Sequence, residues 1–515
     1  MARATRSVLA RDGALRPFRL LRQDWRNLAA RYASDWTIFN QLVVASAVYV
    51  FFTNLLPGIT FASDLYELTG QNWGTIEVVF STAAFNAHDY TMRYVTTFST
   101  EIFSLLNSII YFHKAIQELE RAHDRLSFAA FLYAIIGCIG TCLLAIFLAS
   151  AEKWKPLFHR YIRMGLSEYA AAISIIFFIG IPHVGELASL DKDTLNVSKS
   201  FTPSSPERTT FFVRFWELPI AWIFAALIPG AIITVLFFFD HEVSSIICTI
   251  NRYGTRKPGG FAWDIALLGT TTAICGILGI PPANGLLPQA PLHSESLMHA
   301  DRETVQRTTS TGEETAEIQV SHRVYEQRWS HFLHAAGILA FVSPPLMHVL
   351  GLTPTSVLAG LFLFMGEQSL SVNPILYRTF HMLTPASELP KLPQTIRNYI
   401  PIHLYTLTQI ILTVIIFIIT LTKAGPAFPI IIILLVPVRL FFMNKVWNRE
   451  TLRYVDAWAC RDGTPEDDED RKTGSTKVSN VPSQAVSTDV ESGENSEAGN
   501  GTVMLQRLSS AVRKD

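Results

Sequence analysis

The chain has 515 residues, of which 49% are hydrophobic and 17% are charged, and its formal net charge is −1. Soluble globular chains usually carry about 25% charged residues, and the deficit here is concentrated in long windows. A helix of about 18 or more apolar residues can cross a bilayer. Windows without Asp, Glu, Lys or Arg lie at 36–63, 126–151, 218–239, 265–294, 331–366 and 402–422. A soluble protein has no core large enough for six such segments, so the composition excludes a soluble protein. The net charge indicates no particular partner.

The first 35 residues precede the first of these windows. Eight arginines, from Arg3 to Arg31, lie in this region, and no apolar core precedes Trp36. A cleavable signal peptide needs such a core, and the next apolar segment is long enough to be a full span. We therefore predict a cytosolic arm at 1–35, which its positive charge holds on that side of the membrane, followed by a transmembrane domain at 36–450.

Hydropathy predicts a series of helical spans within this domain. The predicted spans are 36–57, 95–115, 126–150, 169–185, 218–239, 265–280, 331–350, 354–371, 402–422 and 424–441. Two further apolar pieces, at 73–87 and 283–292, are too short to cross a bilayer alone. Arg252, Arg256 and Lys257 follow the span at 218–239, so we place that end in the cytosol, where loops are enriched in basic residues.

Two polar stretches interrupt and follow the spans. Residues 296–330 form a polar loop of mixed charge, and from about residue 461 the composition changes to Ser, Gly, Thr, Asp and Glu, including the acidic run 466–470. The second stretch cannot bury enough apolar surface to fold. We predict a disordered acidic cytosolic tail at 461–515, so that both termini are cytosolic.

Sequence features of enzymes and metal sites are sparse. The chain contains no P-loop, other Gly-rich phosphate loop or zinc-protease motif, which argues against an enzyme and against an ATP-driven pump. Cys138 and Cys142 are four residues apart on one predicted span. Such a pair could hold a metal, but we interpret it as small packing residues. We predict no metal, no cofactor and no nucleic-acid partner.

Asp240 stands directly after the 22 uncharged residues 218–239. A charge inside a membrane span costs roughly 2.5–3.5 kcal/mol on insertion scales, so each one needs a reason. In one interpretation the Asp240 carboxylate faces a polar cavity and holds a proton or a substrate hydroxyl. In the other, the helix ends at the interface and the carboxylate meets water. Position alone leaves both interpretations open.

A second candidate feature is the stretch 279–291, GIPPANGLLPQAP, which holds four prolines and two glycines at membrane depth. Proline breaks helices, and broken backbone is tolerated in a membrane only where protein shields it or where it lines a watery cavity. A short helix starting there would point free N–H groups into the cavity and hold an anion. The alternative is an ordinary loop between two helices. We favour the anion site, because interrupted segments mark the binding sites of transporters.

Four stretches resemble the borate-transporter branch of the bicarbonate/anion-exchanger transporter superfamily, in particular its fungal members. They are 237–245 (FFFDHEVSS), 276–293 (GILGIPPANGLLPQAPLH), 351–362 (GLTPTSVLAGLF) and 435–439 (LVPVR). The resemblance extends over roughly residues 20–460. It implies an all-α polytopic membrane protein with two inverted repeats of seven segments, arranged as a gate half and a core half, usually as a homodimer.

The resemblance also implies a substrate site between two half-helices, the third and tenth segments, whose N-termini face each other. Asp240 matches the acidic position of the eighth segment, and Asn284, Gly285 and Gln289 match the start of the tenth, near the substrate. The basic residue that anion exchangers use at this half-helix has no match in 281–292. That difference fits a borate site better than a chloride–bicarbonate site.

The sequence departs from the family at residues 83–86. Residues 74–82 (GTIEVVFST) match the second segment, but 85–90 (FNAHDY) resemble the cytosolic end of the fourth. The third segment and most of the fourth are therefore predicted to be absent, which leaves about twelve segments. The piece at 73–87 makes only about 22 Å of helix at about 1.5 Å per residue, less than a hydrocarbon core of about 30 Å.

These features predict a secondary-active anion transporter that exports borate across the plasma membrane, with the vacuolar membrane as the alternative location. The expected partners are borate or a related inorganic anion, the lipid bilayer and a second copy of the chain. Two alternatives stay open. One is a bicarbonate/anion exchanger, and the other is a membrane scaffold that lost transport together with the third segment.

Overall fold

A computed structural model describes the protein at residues 19–68, 96–195, 197, 201–205, 207–227, 253–257, 259–282, 289–308, 314–422, 425, 428–458 and 463–473, and at single positions between 230 and 249. These residues are mainly helical. The junction at 83–86, at which the sequence departs from the resembling family, lies outside the described residues, and so do Asp240, Asn284 and Gly285.

Eighteen α-helices lie within the described residues. In chain order they are α1 (Arg19–Arg31), α2 (Gln41–Leu68), α3 (Thr97–Arg125), α4 (Phe128–Ala149), α5 (Arg160–Glu168), α6 (Ala170–Gly180), α7 (Ile220–Ala225), α8 (Phe261–Leu278), α9 (Gln289–Ser296), α10 (Trp329–Ala340), α11 (Pro344–Leu350), α12 (Thr355–Ser371), α13 (Pro374–Leu383), α14 (Ile400–Thr420), α15 (Phe428–Pro437), α16 (Asn444–Val446), α17 (Arg449–Val455) and α18 (Pro465–Thr473). A π-helix, Val438–Met443, continues α15. Short 3₁₀ helices lie at Tyr32–Trp36, Ala151–Lys153, Ile181–His183, Gly185–Ser189 and Phe215–Glu217.

Three of the described helical segments are long and apolar enough to cross a bilayer unbroken: Gln41–Gly58 within α2, and the whole of α4 and α14. They agree with the predicted spans 36–57, 126–150 and 402–422. The start of α4 is fixed by Ser127, whose hydroxyl accepts a hydrogen bond from the Ala130 N–H at 3.5 Å, which satisfies one of the N–H groups that a helix start leaves free. Three of the long charge-free stretches therefore contain unbroken membrane-length helices.

Three further spans are bent. The predicted single span 331–350 consists of α10 and α11, which meet at 96°, and the span at 354–371 continues beyond a 70° bend into α13. Prolines explain both bends, since Pro344 and Pro374 each open the second helix and cannot continue the first. Asn373 caps α13 by accepting a hydrogen bond from the Ile375 N–H at 2.9 Å. Helices α5 and α6 form the third bent pair, at 71°.

Two hydrophobic clusters organise the helices. The first joins α2, α3, α4, α6, α10, α11 and α12, and the second joins α3, α13, α14, α15 and α17. Helix α3 belongs to both. In the first cluster, a Cβ at Gly360 would lie 2.5 Å from the carbonyl oxygen of Cys138, so glycine is what lets α12 approach α4 this closely. Cys138 and Cys142 are buried in this cluster, which is the packing role predicted for them.

The two polar stretches contain more structure than the sequence indicated. The loop predicted at 296–330 holds an antiparallel hairpin of strands β1 (Met298–Thr308) and β2 (Glu314–Val324), paired from Met298↔Val324 to Thr308↔Glu314. The tail predicted to be disordered from residue 461 begins with helix α18. This helix forms because acidic side chains in it pair with arginines of α17 and the π-helix. The tail beyond Thr473 lies outside the described residues.

Candidate functional site

The chain breaks where the proline-rich stretch predicts a break. Helix α8 ends at Leu278, and Gly279 adopts a left-handed conformation with φ +60°, which glycine reaches without strain. The Ile280 N–H then donates to the Cys275 carbonyl at 3.0 Å and closes the helix. The next helix, α9, starts only at Gln289. The two helices are therefore separate elements, as the anion-site interpretation requires.

Arg208 closes the C-terminal end of α8. Its guanidinium donates to the carbonyl oxygens of Gly279 at 2.9 Å, Leu278 at 3.0 Å and Phe211 at 2.6 Å. Carbonyl groups at a helix end lack intrahelical partners and carry partial negative charge, so a guanidinium is well suited to them. This role was not visible in the sequence, because Leu278 and Gly279 lie about seventy positions from Arg208 along the chain.

Gln289 is the described member of the predicted substrate-binding set. It is 7% exposed, and its Nε2 donates to the Tyr111 hydroxyl at 3.1 Å. Its Oε1 is buried and has no hydrogen-bond partner among the described residues. A buried acceptor left unpaired costs about 1–3 kcal/mol. That cost makes the amide oxygen of Gln289 a candidate group for binding a ligand.

Tyr111 comes from α3, the helix shared by both hydrophobic clusters, and is 5% exposed. One turn earlier on the same face lies Asn107, whose buried Nδ2 has no partner among the described residues. Residues four apart share a face of a helix. Sequence analysis missed Tyr111, although the i, i+4 spacing of Asn107 and Tyr111 on an apolar helix is a signal that could have found it.

Polar contacts also anchor the later part of α9. His293 lies one turn after Gln289, and its Nε2 is 2.8 Å from the Ser330 hydroxyl at the start of α10. The hydroxyls of Ser296 and Ser46 are 2.6 Å apart, which ties the end of α9 to α2. Helix α9 is thus held by α2 and α10 while its first residue reaches across to α3.

The start of α9 offers both kinds of hydrogen-bonding group. The first N–H groups of a helix lack intrahelical partners and together resemble about half a positive charge. Pro291 has no N–H group, so the first turn of α9 can offer those of Gln289, Ala290 and Leu292. Beside them lies the acceptor Oε1 of Gln289. The arrangement therefore suits an anion that also carries O–H groups.

Charged clusters elsewhere have structural partners. Within α3, Glu101 pairs with Arg378 of α13, and the Arg378 guanidinium also donates to Gln409 Oε1 of α14 at 2.8 Å. Gln409 Nε2 in turn donates a hydrogen bond to the Glu101 carboxylate at 2.9 Å. These side chains join three helices of the second cluster, so the sequence position of Glu101 inside a span reflects an ion pair between helices.

A chain with membrane-length helices, several bent spans and a broken segment that places unpaired polar groups between helices is a polytopic helical membrane protein of the transporter class. Its residues 119–459 match the family model of the HCO3⁻ transporter integral membrane domain. The chain belongs to this family, which confirms the predicted all-α polytopic membrane fold.

Individual relatives agree with the family assignment. A putative transporter of Schizosaccharomyces pombe is 31% identical, over 82% of this chain and 93% of the relative. Boron transporter 1 of Saccharomyces cerevisiae is 30% identical, over 84% of each. Anion exchange protein 3 of Oryctolagus cuniculus is 26% identical over 79% of this chain, but that region is only 35% of the relative. The predicted relationship to bicarbonate and boron transporters is therefore confirmed.

Proposed function

We propose that the protein is a secondary-active transporter that exports borate across the plasma membrane, with both termini in the cytosol and two copies per assembly. The observation that carries the proposal is the buried Gln289, whose amide oxygen stands unpaired at the first position of a helix that follows a proline break. The similarity to a boron transporter over most of both chains supports the choice of substrate.

The chemistry of borate matches this site. Borate is a tetrahedral anion with four O–H groups, so it both needs donors for its charge and offers hydrogens to acceptors. The N–H groups at the start of α9 would stabilise the charge, and Gln289 Oε1 would accept a borate hydroxyl. Asn284 and Gly285 are proposed to contribute further to substrate binding, and Asp240 to hold a proton or a substrate hydroxyl.

Transport would proceed by rocking one half of the protein against the other. Helix α9 is anchored to α2 and α10, whereas α3, α13 and α14 form the second cluster. We assign the first set to the core half and the second to the gate half. Tyr111 belongs to the first cluster, and its helix α3 is shared by both clusters, so the Gln289–Tyr111 contact lies at the helix that would link the two halves.

The test is boron export from yeast cells that lack their own boron transporter. Cells expressing the full chain are loaded with boric acid, and intracellular boron is measured over time beside cells that carry an empty vector. Faster boron loss and growth at toxic boron concentrations are expected. Surface-delivered protein without boron loss would contradict the proposal, and bicarbonate flux in the same cells would then favour the exchanger suggested by the 26% identical anion exchange protein.

Asp240 gives a separate prediction about coupling. If its carboxylate carries the coupled proton, Asp240→Asn removes the titrating group, and boron flux should lose its dependence on pH. Flux is measured at several external pH values in wild type and variant. Glu242→Gln, two residues away, is the matched control and should keep the wild-type pH profile. An unchanged profile in Asp240→Asn would remove Asp240 from this role.

A further inference from the structure

The Gln289 amide has two chemically different ends, and the structure assigns one of them to a protein partner. An amide presents two hydrogens at nitrogen and two lone pairs at oxygen. Nε2 donates to Tyr111 at 3.1 Å, which leaves Oε1 as the end with no partner among the described residues. Rotating the amide by 180° would turn Oε1 toward the Tyr111 hydroxyl, which would then have to donate instead of accept, and would present a donor in place of an acceptor at the other end.

We propose that Tyr111 is a positioning residue that holds the Gln289 amide with its oxygen toward the substrate, and that it thereby selects anions rich in O–H groups over anions that only accept hydrogen bonds. This inference rests on the proposed function, because it concerns the same site. It adds the physical origin of the selectivity and names a residue outside the α9 segment.

Both partners are held rigidly enough to fix the amide. Tyr111 belongs to the first hydrophobic cluster, and its ring centroid lies 5.8 Å from that of Phe362 on α12. Behind it, a Cβ at Gly366 would lie 3.1 Å from the Phe112 ring, so α3 and α12 are in close contact. Helix α9 is tied down at His293 and Ser296. The hydroxyl therefore meets the amide at a position set by three helices.

An acceptor beside an anion site discriminates by hydrogen-bond type. Borate can donate several hydrogens to Oε1, bicarbonate can donate one, and chloride can donate none. A desolvated carbonyl oxygen that faces chloride gains no hydrogen bond and repels the charge, which disfavours the wrong substrate as well as favouring the right one. The helix start attracts all three anions alike, so the amide orientation separates them.

The experiment compares boron and chloride flux in liposomes that contain the full chain. Boron uptake is measured by mass spectrometry and chloride uptake with a radioactive tracer, both corrected for protein-free liposomes. In Tyr111→Phe the ring stays and the hydroxyl is lost, so the amide can turn its nitrogen to the substrate. We expect boron flux to fall about tenfold, equivalent to about 1.4 kcal/mol, and the chloride-to-boron ratio to rise by at least as much.

Tyr133→Phe is the matched control, because it removes a hydroxyl from the neighbouring helix α4 that has no hydrogen-bond partner among the described residues. Its flux ratio should equal that of wild type. Gln289→Met carries the test if Tyr111→Phe does not fold, since loss of the acceptor should also raise the chloride-to-boron ratio.

The outcomes separate the inference from the function on which it rests. Equal losses of boron and chloride flux in Tyr111→Phe would show a merely structural role and overturn the inference, and so would an unchanged ratio. Wild-type liposomes that move no boron would overturn the proposed function itself. A raised ratio in Tyr111→Phe together with a normal ratio in Tyr133→Phe supports the positioning role.

Discussion

Arg439 and Gln289 are both more than nine-tenths buried, but they differ in how many of their polar atoms have hydrogen-bond partners. Every nitrogen of the Arg439 guanidinium has a partner: Nε donates to Asp456 at 2.5 Å, Nη1 to Asn444 at 2.8 Å and Nη2 to Glu466 at 3.0 Å. Gln289 uses its nitrogen and leaves its oxygen unpaired. The first side chain lies at the end of the spanning region and the second at its broken segment.

Under the proposed function, Arg439 is a structural polar group and Gln289 is a binding one. Buried polar groups are nearly always hydrogen-bonded, so an exception needs a physical explanation. At Arg439 the protein supplies every hydrogen-bond partner. Removing the guanidinium would leave the carboxylates of Asp456 and Glu466 buried without a cation. At Gln289 the proposed function makes the transported anion the missing partner of the amide oxygen. The comparison predicts that Arg439 governs stability and that Gln289 governs transport.

Arg439→Leu is expected to have the largest effect on stability. It leaves Asp456 and Glu466 buried without their cation, and breaking a buried ion pair in this way costs about 3–5 kcal/mol. The measurement is the thermal unfolding of purified protein in detergent. Arg449→Leu is the control: Arg449 also pairs with α18 but its side chain is 47% exposed, and pairs of this kind contribute about 0–1 kcal/mol. Equal unfolding temperatures of Arg439→Leu and Arg449→Leu would contradict the structural role assigned to Arg439.

Gln289→Met should show the opposite pattern. The two side chains have similar volume, and a substitution that conserves volume usually lowers stability by less than about 1.5 kcal/mol. Methionine also removes the unpaired oxygen, and with it the free-energy cost of burying that oxygen. Thermal unfolding should therefore stay near that of wild type, whereas boron flux falls about tenfold or more, which corresponds to about 1.4 kcal/mol. A variant that unfolds early and transports normally would contradict the assignment of Gln289 to binding.

Glu466→Gln is expected to have the smallest effect of the three substitutions. The effect should be a change in how the docking of α18 depends on pH. Burial raises the pKa of Glu466 above its ordinary value of 4.5, although Arg439 opposes the shift. Docked α18 therefore binds the proton more tightly than undocked α18, so docking is favoured below the raised pKa and weakens as pH rises through it. Glutamine, which resembles the protonated form, should dock without this pH dependence.

Protease protection of the tail between pH 4.5 and 7 measures that docking. Protection of wild type should decline with rising pH, protection of Glu466→Gln should stay level, and Glu469→Gln should behave as wild type, because the Glu469 side chain is 50% exposed. A decline that is identical in all three proteins would exclude Glu466 as its source.

Local properties of the sequence were enough to predict much of the membrane domain. The spans at 126–150 and 402–422 agree with α4 and α14, because the absence of charge over some twenty residues is visible in the sequence itself. The break after Gly279 was also predictable, since proline acts on its own backbone. The bends at Pro344 and Pro374 follow the same rule, and applying it would have divided the predicted span 331–350 and placed a bend just after the span 354–371.

Contacts between distant residues account for what the sequence could not show. Tyr111 and Gln289 are 178 positions apart, and no local pattern connects them. Helix α18 consists largely of acidic residues that cannot fold alone, and it forms because Arg439, Arg449 and Arg453 lie beneath it. Asp240, Asn284 and Gly285 remain predictions from sequence resemblance.

The contact between Asp456 and the start of α3 has a consequence for how the protein is made. The Asp456 carboxylate accepts hydrogen bonds from the Phe98 N–H at 2.9 Å and the Thr97 hydroxyl at 2.5 Å, although 358 positions separate Phe98 from Asp456. A ribosome adding about 5–20 residues per second needs roughly 20–70 s to cover that distance. The start of α3 therefore lacks these two hydrogen bonds until residue 456 has been synthesised. A nascent chain that ends before Asp456 never forms them.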